Sequence, residues 1–183
     1  MINPSDRKKY IPTDVLEREA AQVTNIARSK GVNVAVVGGL AMQVYGSSRL
    51  TGDLDMIADA PINLPIMREL SFGGYETVSP GGIELDWIIR NDFYQLLYLE
   101  ALKESEEIMN GAYRVVPLHY LAAMKMAAKR LKDKADLDEM FSFPEFDEQK
   151  TREIINKFLG PYALEDFESM LFLFKWNRSR DKK

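Results

Sequence analysis

The sequence has no cysteine and a single histidine, His119. Disulfides and thiolate chemistry are therefore excluded. A zinc site would have to be assembled from that one imidazole and carboxylates. No apolar run approaches the ~20 residues needed to cross a bilayer, so no membrane span is expected. The opening residues, MINPSDRKKYIPTD, lack the apolar stretch of a signal peptide. No excess charge of one sign is present: 24 basic residues stand against 28 acidic ones, a net charge of −4. That balance argues against a nucleic-acid coat protein or a membrane-surface binder. Repeats and low-complexity tracts are missing too. What remains is 183 residues, 46% of them hydrophobic. That is enough for one domain with a substantial core, or one domain with a small appendage, and a cytoplasmic protein is the plain expectation.

Periodicity divides the chain into a mixed α/β part over 1–116 and a helical part over 117–183 packed on it. PTDVLEREAAQVTNIARSKG reads as a helix, with Asp14 and Glu17 spaced as a capping box and Gly31 as its stop. VNVAVV is a short, wholly apolar run between glycines, which predicts a buried strand. GLAMQVYG predicts a short helix, and DLDMIA a second strand. IMRELSFGGY predicts a helix ended by Gly73-Gly74, and ETVSPGGIELDWIIR two strands joined by a Pro80-Gly81-Gly82 turn. DFYQLLYLEALKESEEIMNG predicts a helix running to Gly111, and YRVV a strand. Beyond Pro117 all is helical: Leu121, Met124, Ala128 and Leu131 space as one apolar stripe, and Pro144 and Gly160-Pro161 separate later helices.

Against this frame, VGGLAMQVYGSSRLTGDLDM is unusual. In a strand, residues i and i+2 share a face about 6.6–6.8 Å apart. Leu54, Met56 and Ala58 would then face the core, and Asp53 and Asp55 would face the other way together. In a cleft such a pair repels strongly unless a divalent cation binds between the carboxylates. Hard oxygen donors suit magnesium or manganese. IELDWII offers a third carboxylate: Ile83, Leu85, Trp87 and Ile89 make one face, Glu84 and Asp86 the other. Asp86 would join the pair if the two strands are neighbours, with Glu84 as the alternative. Gly38-Gly39 ends a buried strand and opens a helix, which places bare backbone N–H groups where phosphate binds. GGLAMQ is neither a dinucleotide fingerprint nor a P-loop. A phosphate cradle beside an aspartate cluster describes a nucleoside triphosphate site, with up to two metals roughly 3.5–4 Å apart. The competing reading is an edge strand with solvated carboxylates and an ordinary tight turn.

VVGGLAMQVYGSSRLTGDLDMI resembles the Gly-Gly, then Asp-x-Asp, signature of the polymerase-β-type nucleotidyltransferase superfamily. Arg49-x-Thr51-x-Asp53-x-Asp55 is similar to its small prokaryotic branch that includes abortive-infection nucleotidyltransferase toxins. YLAAMKMAAKRLKDKADLDEM resembles the helical segment that follows the core there, with Lys125, Lys132-Asp133 and Asp136 in the matching places. The likeness spans roughly residues 30–140. It implies a minimal α/β nucleotidyltransferase fold with a helical C-terminal half. It also implies transfer of a nucleoside monophosphate from an NTP to an acceptor hydroxyl on RNA, protein or a small molecule, and an antitoxin as a possible partner. Asp53, Asp55 and Asp86 would be the catalytic and metal residues. Gly38, Gly39, Ser47, Arg49, Thr51 and Lys125 would hold the nucleotide. Ser47 and Ser48 also read as plain turn residues, Lys129 and Lys132 as a solvated basic face, His119 as a first-turn helix residue, and KWNRSRDKK as a frayed end. A catalytically silent nucleotide-binding protein of the same fold is the alternative.

Overall fold

A computed structural model describes residues 10–180. The first nine residues, on which the signal-peptide expectation falls, and the last three of the basic tail lie outside the described residues. Helix α1 (Thr13–Ser29) turns Leu16, Ala20, Val23 and Ala27 inward, the i, i+4, i+7, i+11 spacing of one helix face. The expected capping box does not form. Pro12, whose φ of −57° is already set for a helix, occupies the N-cap, so the helix starts before Asp14 can cap it. Asp14 instead pairs with Arg18 at 3.2 Å, and Glu17 accepts a hydrogen bond from the Tyr113 hydroxyl at 3.1 Å.

Strand β1 (Val34–Val37) is buried at all four positions and runs directly into α2 (Gly38–Val44). β2 (Leu54–Ala58) pairs antiparallel with β1. β3 (Arg68–Glu69), β4 (Gly74–Val78) and β5 (Glu84–Ile88) follow, then α3 (Gln95–Lys103), β6 (Glu106–Ile108) and β7 (Tyr113–Val115). The strands form one seven-stranded sheet in the order β3-β4-β5-β2-β1-β7-β6. β2–β5 and β1–β7 are parallel, and the other pairs are antiparallel. The chain closes with α4 (Leu118–Ala128), α5 (Leu131–Met140), α6 (Glu148–Leu159) and α7 (Pro161–Arg180). The result is a mixed α/β fold. The α6–α7 break falls at Gly160, whose positive φ of +83° ends the helix, followed by Pro161 as the first helical residue.

The core gathers Leu40, Met42, Leu54, Met56, Leu85, Trp87, Tyr113 and Leu121, each contributing roughly 1.5–3 kcal/mol by burial. Ile57, on the Asp55 side of β2, is buried as well. Helix α3 packs against β2, so this central strand is covered on both faces and reads as continuously apolar except at Asp55.

Two predicted helices are corrected. Residues 66–75 are not helical: β3 forms an edge strand on β4, with Met67 N–H donating to Glu76 and Leu70 N–H to Gly74. Pro65 and the positive-φ glycines Gly73 and Gly74 leave too few residues between them for a stable helix. Helix α3 stops at Lys103 rather than reaching Gly111. Met109, Asn110 and Gly111 take φ of 52°, 57° and 82°, the left-handed values of a tight hairpin, and turn β6 back onto β7. The stripe through Leu121 and Met124 breaks at Lys129 (φ 54°), which leaves Leu131 85% exposed instead of continuing the buried face. Among the described residues no helix is long and apolar enough to cross a membrane.

Candidate active site

The register of the sheet sets the acidic residues in a row. Val37, the last residue of β1, pairs with Asp55 of β2, Asp55 with Asp86 of β5, and Asp86 with Glu76 of β4. Register partners share a face, with neighbouring strands about 4.8 Å apart. Three carboxylates from three adjacent strands therefore line up beside the point where the chain leaves β1 at Gly38. Asp53 lies in the bend just before β2 rather than within it, and its Oδ1 accepts a hydrogen bond from the Thr51 hydroxyl at 2.6 Å.

Each glycine of the Gly38-Gly39 pair clears space for one of these residues. A Cβ on Gly38, which has a φ of +63°, would fall 1.8 Å from Asp55 Oδ2, and one on Gly39 would fall 2.6 Å from the Thr51 Cβ. The α2 entrance therefore lies directly against the Thr51–Asp55 segment.

A cleft of about 260 Å³ opens here. Gly38, Asp55 and Asp86 form its sheet side, and Lys125, Arg130 and Asp133 face them from α4 and the start of α5. Phe72, Arg90 and Tyr98 close a third side. The Arg90 guanidinium sits 4.7 Å from the Phe72 ring centre and 4.8 Å from that of Tyr98, and its Nε donates to Asp92 at 2.9 Å.

The electrostatics follow from burial and crowding. Burial, then repulsion from Asp55, Glu76, Asp53 and Glu84, pushes the Asp86 carboxyl up to about 6. Asp55 is raised as well, first by burial and then by Asp53, with Lys132, Lys125 and Arg130 pulling against the shift. Burial raises the Tyr98 phenol.

A second network backs the cleft. Lys125 Nζ is 3.2 Å from Asp133 Oδ1 and pairs closely with Asp136 Oδ2. Arg130 Nε donates to Asp133 Oδ2 at 2.7 Å, and Arg49 Nε lies 3.0 Å from Asp136 Oδ1. Asp133, Asp136 and Lys125 are buried. Burial alone would push the Asp133 carboxyl up, but Arg130 and Lys125 outweigh it and hold the group below its ordinary value. The Ser47 hydroxyl donates to Glu139 Oε2 at 2.8 Å, so Ser47 and Arg49 both tie their loop to α5.

The structure thus brings Gly38, Asp55, Asp86 and Lys125 to one cleft. Asp53, Gly39 and Thr51 adjoin it through the Thr51 hydroxyl and the α2 entrance. Ser47 and Arg49 are engaged by α5, and Glu84 is exposed at the start of β5. His119 falls in the first turn of α4, its ring 4.8 Å from that of Tyr120. Lys129 and Lys132 are exposed. Sequence reasoning missed Glu76, Arg130 and the Phe72–Arg90–Tyr98 wall. Glu76 was within reach: a hairpin centred on Gly81 sets residue 76 against 86. The other two needed the tertiary fold.

Among the described residues no group of three or more histidine, aspartate or glutamate side chains encloses a metal-sized space as it stands. The donor chemistry nevertheless fits a divalent cation. Asp55 and Asp86 are hard oxygen donors with raised pKa values, and among the described residues neither is held in an ion pair.

No protein-family model matches the sequence, and no curated protein matches it significantly. Solved structures do. An antigenic nucleotidyltransferase-like protein from Paracoccidioides brasiliensis is 16% identical, with a TM-score of 0.50 over 89% of this chain and 94% of that one. The antibiotic-resistance factor ANT(2'')-Ia in solution is 14% identical, with a TM-score of 0.47 over 93% of this chain and 97% of that one. Its crystal structure in complex with adenylyl-2''-tobramycin gives 14% and 0.43 over 90% and 99%. The first of these likenesses is one of architecture. The chain has a nucleotidyltransferase-like fold.

Proposed function

We propose that the chain is a nucleotidyltransferase that moves a nucleoside monophosphate from an NTP to an acceptor hydroxyl and releases pyrophosphate. The observation that most supports this is the Asp55–Asp86 register beside Gly38, facing Lys125 and Arg130 across one cleft. The acceptor oxygen would form a bond to the α-phosphorus as the bond to the pyrophosphate oxygen breaks. Asp86, whose raised pKa suits proton transfer near neutral pH, would take the hydroxyl proton. Gly38 and Gly39 would admit the phosphates close to the backbone. Arg130 and Lys125 would balance the growing charge on the pyrophosphate. A magnesium or manganese ion held by Asp53, Asp55 and Asp86 would supply Lewis acidity and charge neutralisation there.

The finer assignment to the small prokaryotic, abortive-infection-like branch rests on Arg49-x-Thr51-x-Asp53-x-Asp55 and on the meeting of Arg49, Lys125, Asp133 and Asp136 in one network. RNA, protein and small hydroxylated molecules all remain acceptor classes for it, and an antitoxin-like partner would accompany that role. One observation favours a silent nucleotide-binding protein instead: Lys125 and Arg49, the cations expected at the phosphates, are both engaged by Asp136. Labelled-NTP transfer, with magnesium or manganese, against the three acceptor classes separates the readings. Metal-dependent label transfer that is lost in Asp55→Asn supports the enzyme. Nucleotide binding without turnover on any acceptor supports the silent protein.

A further inference from the structure

Helix α7 carries apolar residues on two opposite sides. Ala163, Phe167 and Leu171 are buried in the core. The outward side bears Tyr162, Phe172, Leu173 and Trp176, which are 82%, 64%, 56% and 53% exposed. The Phe172 and Trp176 rings stack at 6.3 Å. Tyr162, Glu165, Ser169, Phe172, Trp176 and Ser179 fall along this side at alternating steps of three and four, three of them aromatic and three polar. An exposed aromatic seam of this kind marks an interaction surface.

Charge identifies what fits it. The acidic residues of α7 (Glu165, Asp166 and Glu168) all precede its basic ones (Lys175, Arg178 and Arg180). Glu168 is engaged by Arg152 and Lys175 by Glu148. Among the described residues, Glu165, near the start of the seam, and Arg180, just past its end, are in no ion pair. Two α7 helices laid parallel would set Glu165 against Glu165 and Arg180 against Arg180. Laid antiparallel about a two-fold axis, they set Glu165 of each copy opposite Arg180 of the other, Trp176 opposite the small Ser169, and Phe172 opposite Leu173. A two-fold contact needs this self-complementarity, and stacked aromatics at its centre are the usual anchors of such interfaces.

We infer that the chain self-associates as a two-fold dimer through antiparallel pairing of the outward seam of α7. This surface lies outside the catalytic cleft, and the inference does not depend on nucleotidyl transfer.

Sedimentation velocity over a micromolar concentration series tests it on the full chain. A reversible monomer–dimer equilibrium is expected. Trp176→Glu should raise the dissociation constant by about tenfold or more, as for loss of a central aromatic anchor, with an unchanged far-ultraviolet circular dichroism spectrum. Arg180→Glu should weaken the dimer, and adding Glu165→Arg should restore it. This charge swap stands alone should Trp176→Glu unfold the chain. A parent protein that stays monomeric throughout, a dimer indifferent to Trp176→Glu, or a swap that fails to restore association overturns the proposal.

Discussion

Lys125 and Asp136 form a buried ion pair across the break between α4 and α5, and the same aspartate holds Arg49 from the loop before β2. One carboxylate therefore fastens the helical part of the chain to the segment that carries the acidic pair. Lys125→Met keeps the stem and removes the charge, which leaves Asp133 and Asp136 each with one arginine. Breaking a buried pair from one side costs about 3–5 kcal/mol, and the remaining arginines reduce that to roughly 2–4. Chemical denaturation measures it. Adding Asp136→Asn should recover part of the loss, since a buried carboxylate that has lost one of its two cations goes with it. A double variant no better than the single would show that the pair is not the unit.

Gly38→Ala should be far more damaging than Gly82→Ala. Both glycines have positive φ, which costs an alanine about 1–2 kcal/mol. Only at Gly38 would the new methyl also collide with Asp55. The Gly38 variant should unfold at clearly lower denaturant and lose manganese binding, while the Gly82 variant should keep its metal affinity. Equal effects would remove the close approach of Gly38 and Asp55 from the account.

Asp86→Asn should abolish transfer yet stabilise the metal-free protein near neutral pH. The folded pKa of Asp86 is raised from its ordinary 3.8 to about 6. Its favourable contribution is thus complete below about 3.8 and lost as pH rises through about 6. The asparagine lacks that loss. A gain of roughly 1–2 kcal/mol is expected after allowing for solvent screening of a half-buried group. Denaturation of both proteins across this window, in the presence of a chelator, is the measurement. A destabilised Asn variant would contradict it.

His119 should act in the opposite sense. Its folded pKa is lowered from the ordinary 6.5, first by burial and then by Lys150. Its contribution is present above 6.5 and lost as pH falls below that value, because the unfolded chain takes up the proton more readily. His119→Gln should flatten the loss of stability on mild acidification relative to the parent. Parallel curves for the two proteins would show that the imidazole is not strained by its surroundings.

Much of the site was legible in the sequence because sheet geometry is periodic. Alternation set Asp55 on the face of β2 away from Leu54 and Met56, a face that α3 also covers, and a turn at Pro80-Gly81-Gly82 fixed the partner strand of Asp86. Legibility failed where tertiary contacts overrode local preference. Residues 66–75 have helical periodicity, yet an unpaired edge on β4 took them. Asn110 and Gly111 carry a hairpin signal that a run of good helix formers concealed. The engagement of Arg49 and Ser47 by α5 was out of reach, since nothing in a single sequence announces which distant acid a loop arginine meets.

The parallel pairing of β2 with β5, and of β1 with β7, also bears on the order in which the protein folds. The β4–β5 and β6–β7 hairpins close short loops and are expected to form early, whereas both parallel pairings join segments far apart in the chain. Asp55 and Asp86 belong to different sides of that late event. The nascent chain therefore carries its charges apart through the early steps, and their mutual repulsion opposes only the final closure of the sheet. A cation that binds between them would draw that closure forward, so refolding rate, and not only final stability, becomes a reporter of the cleft.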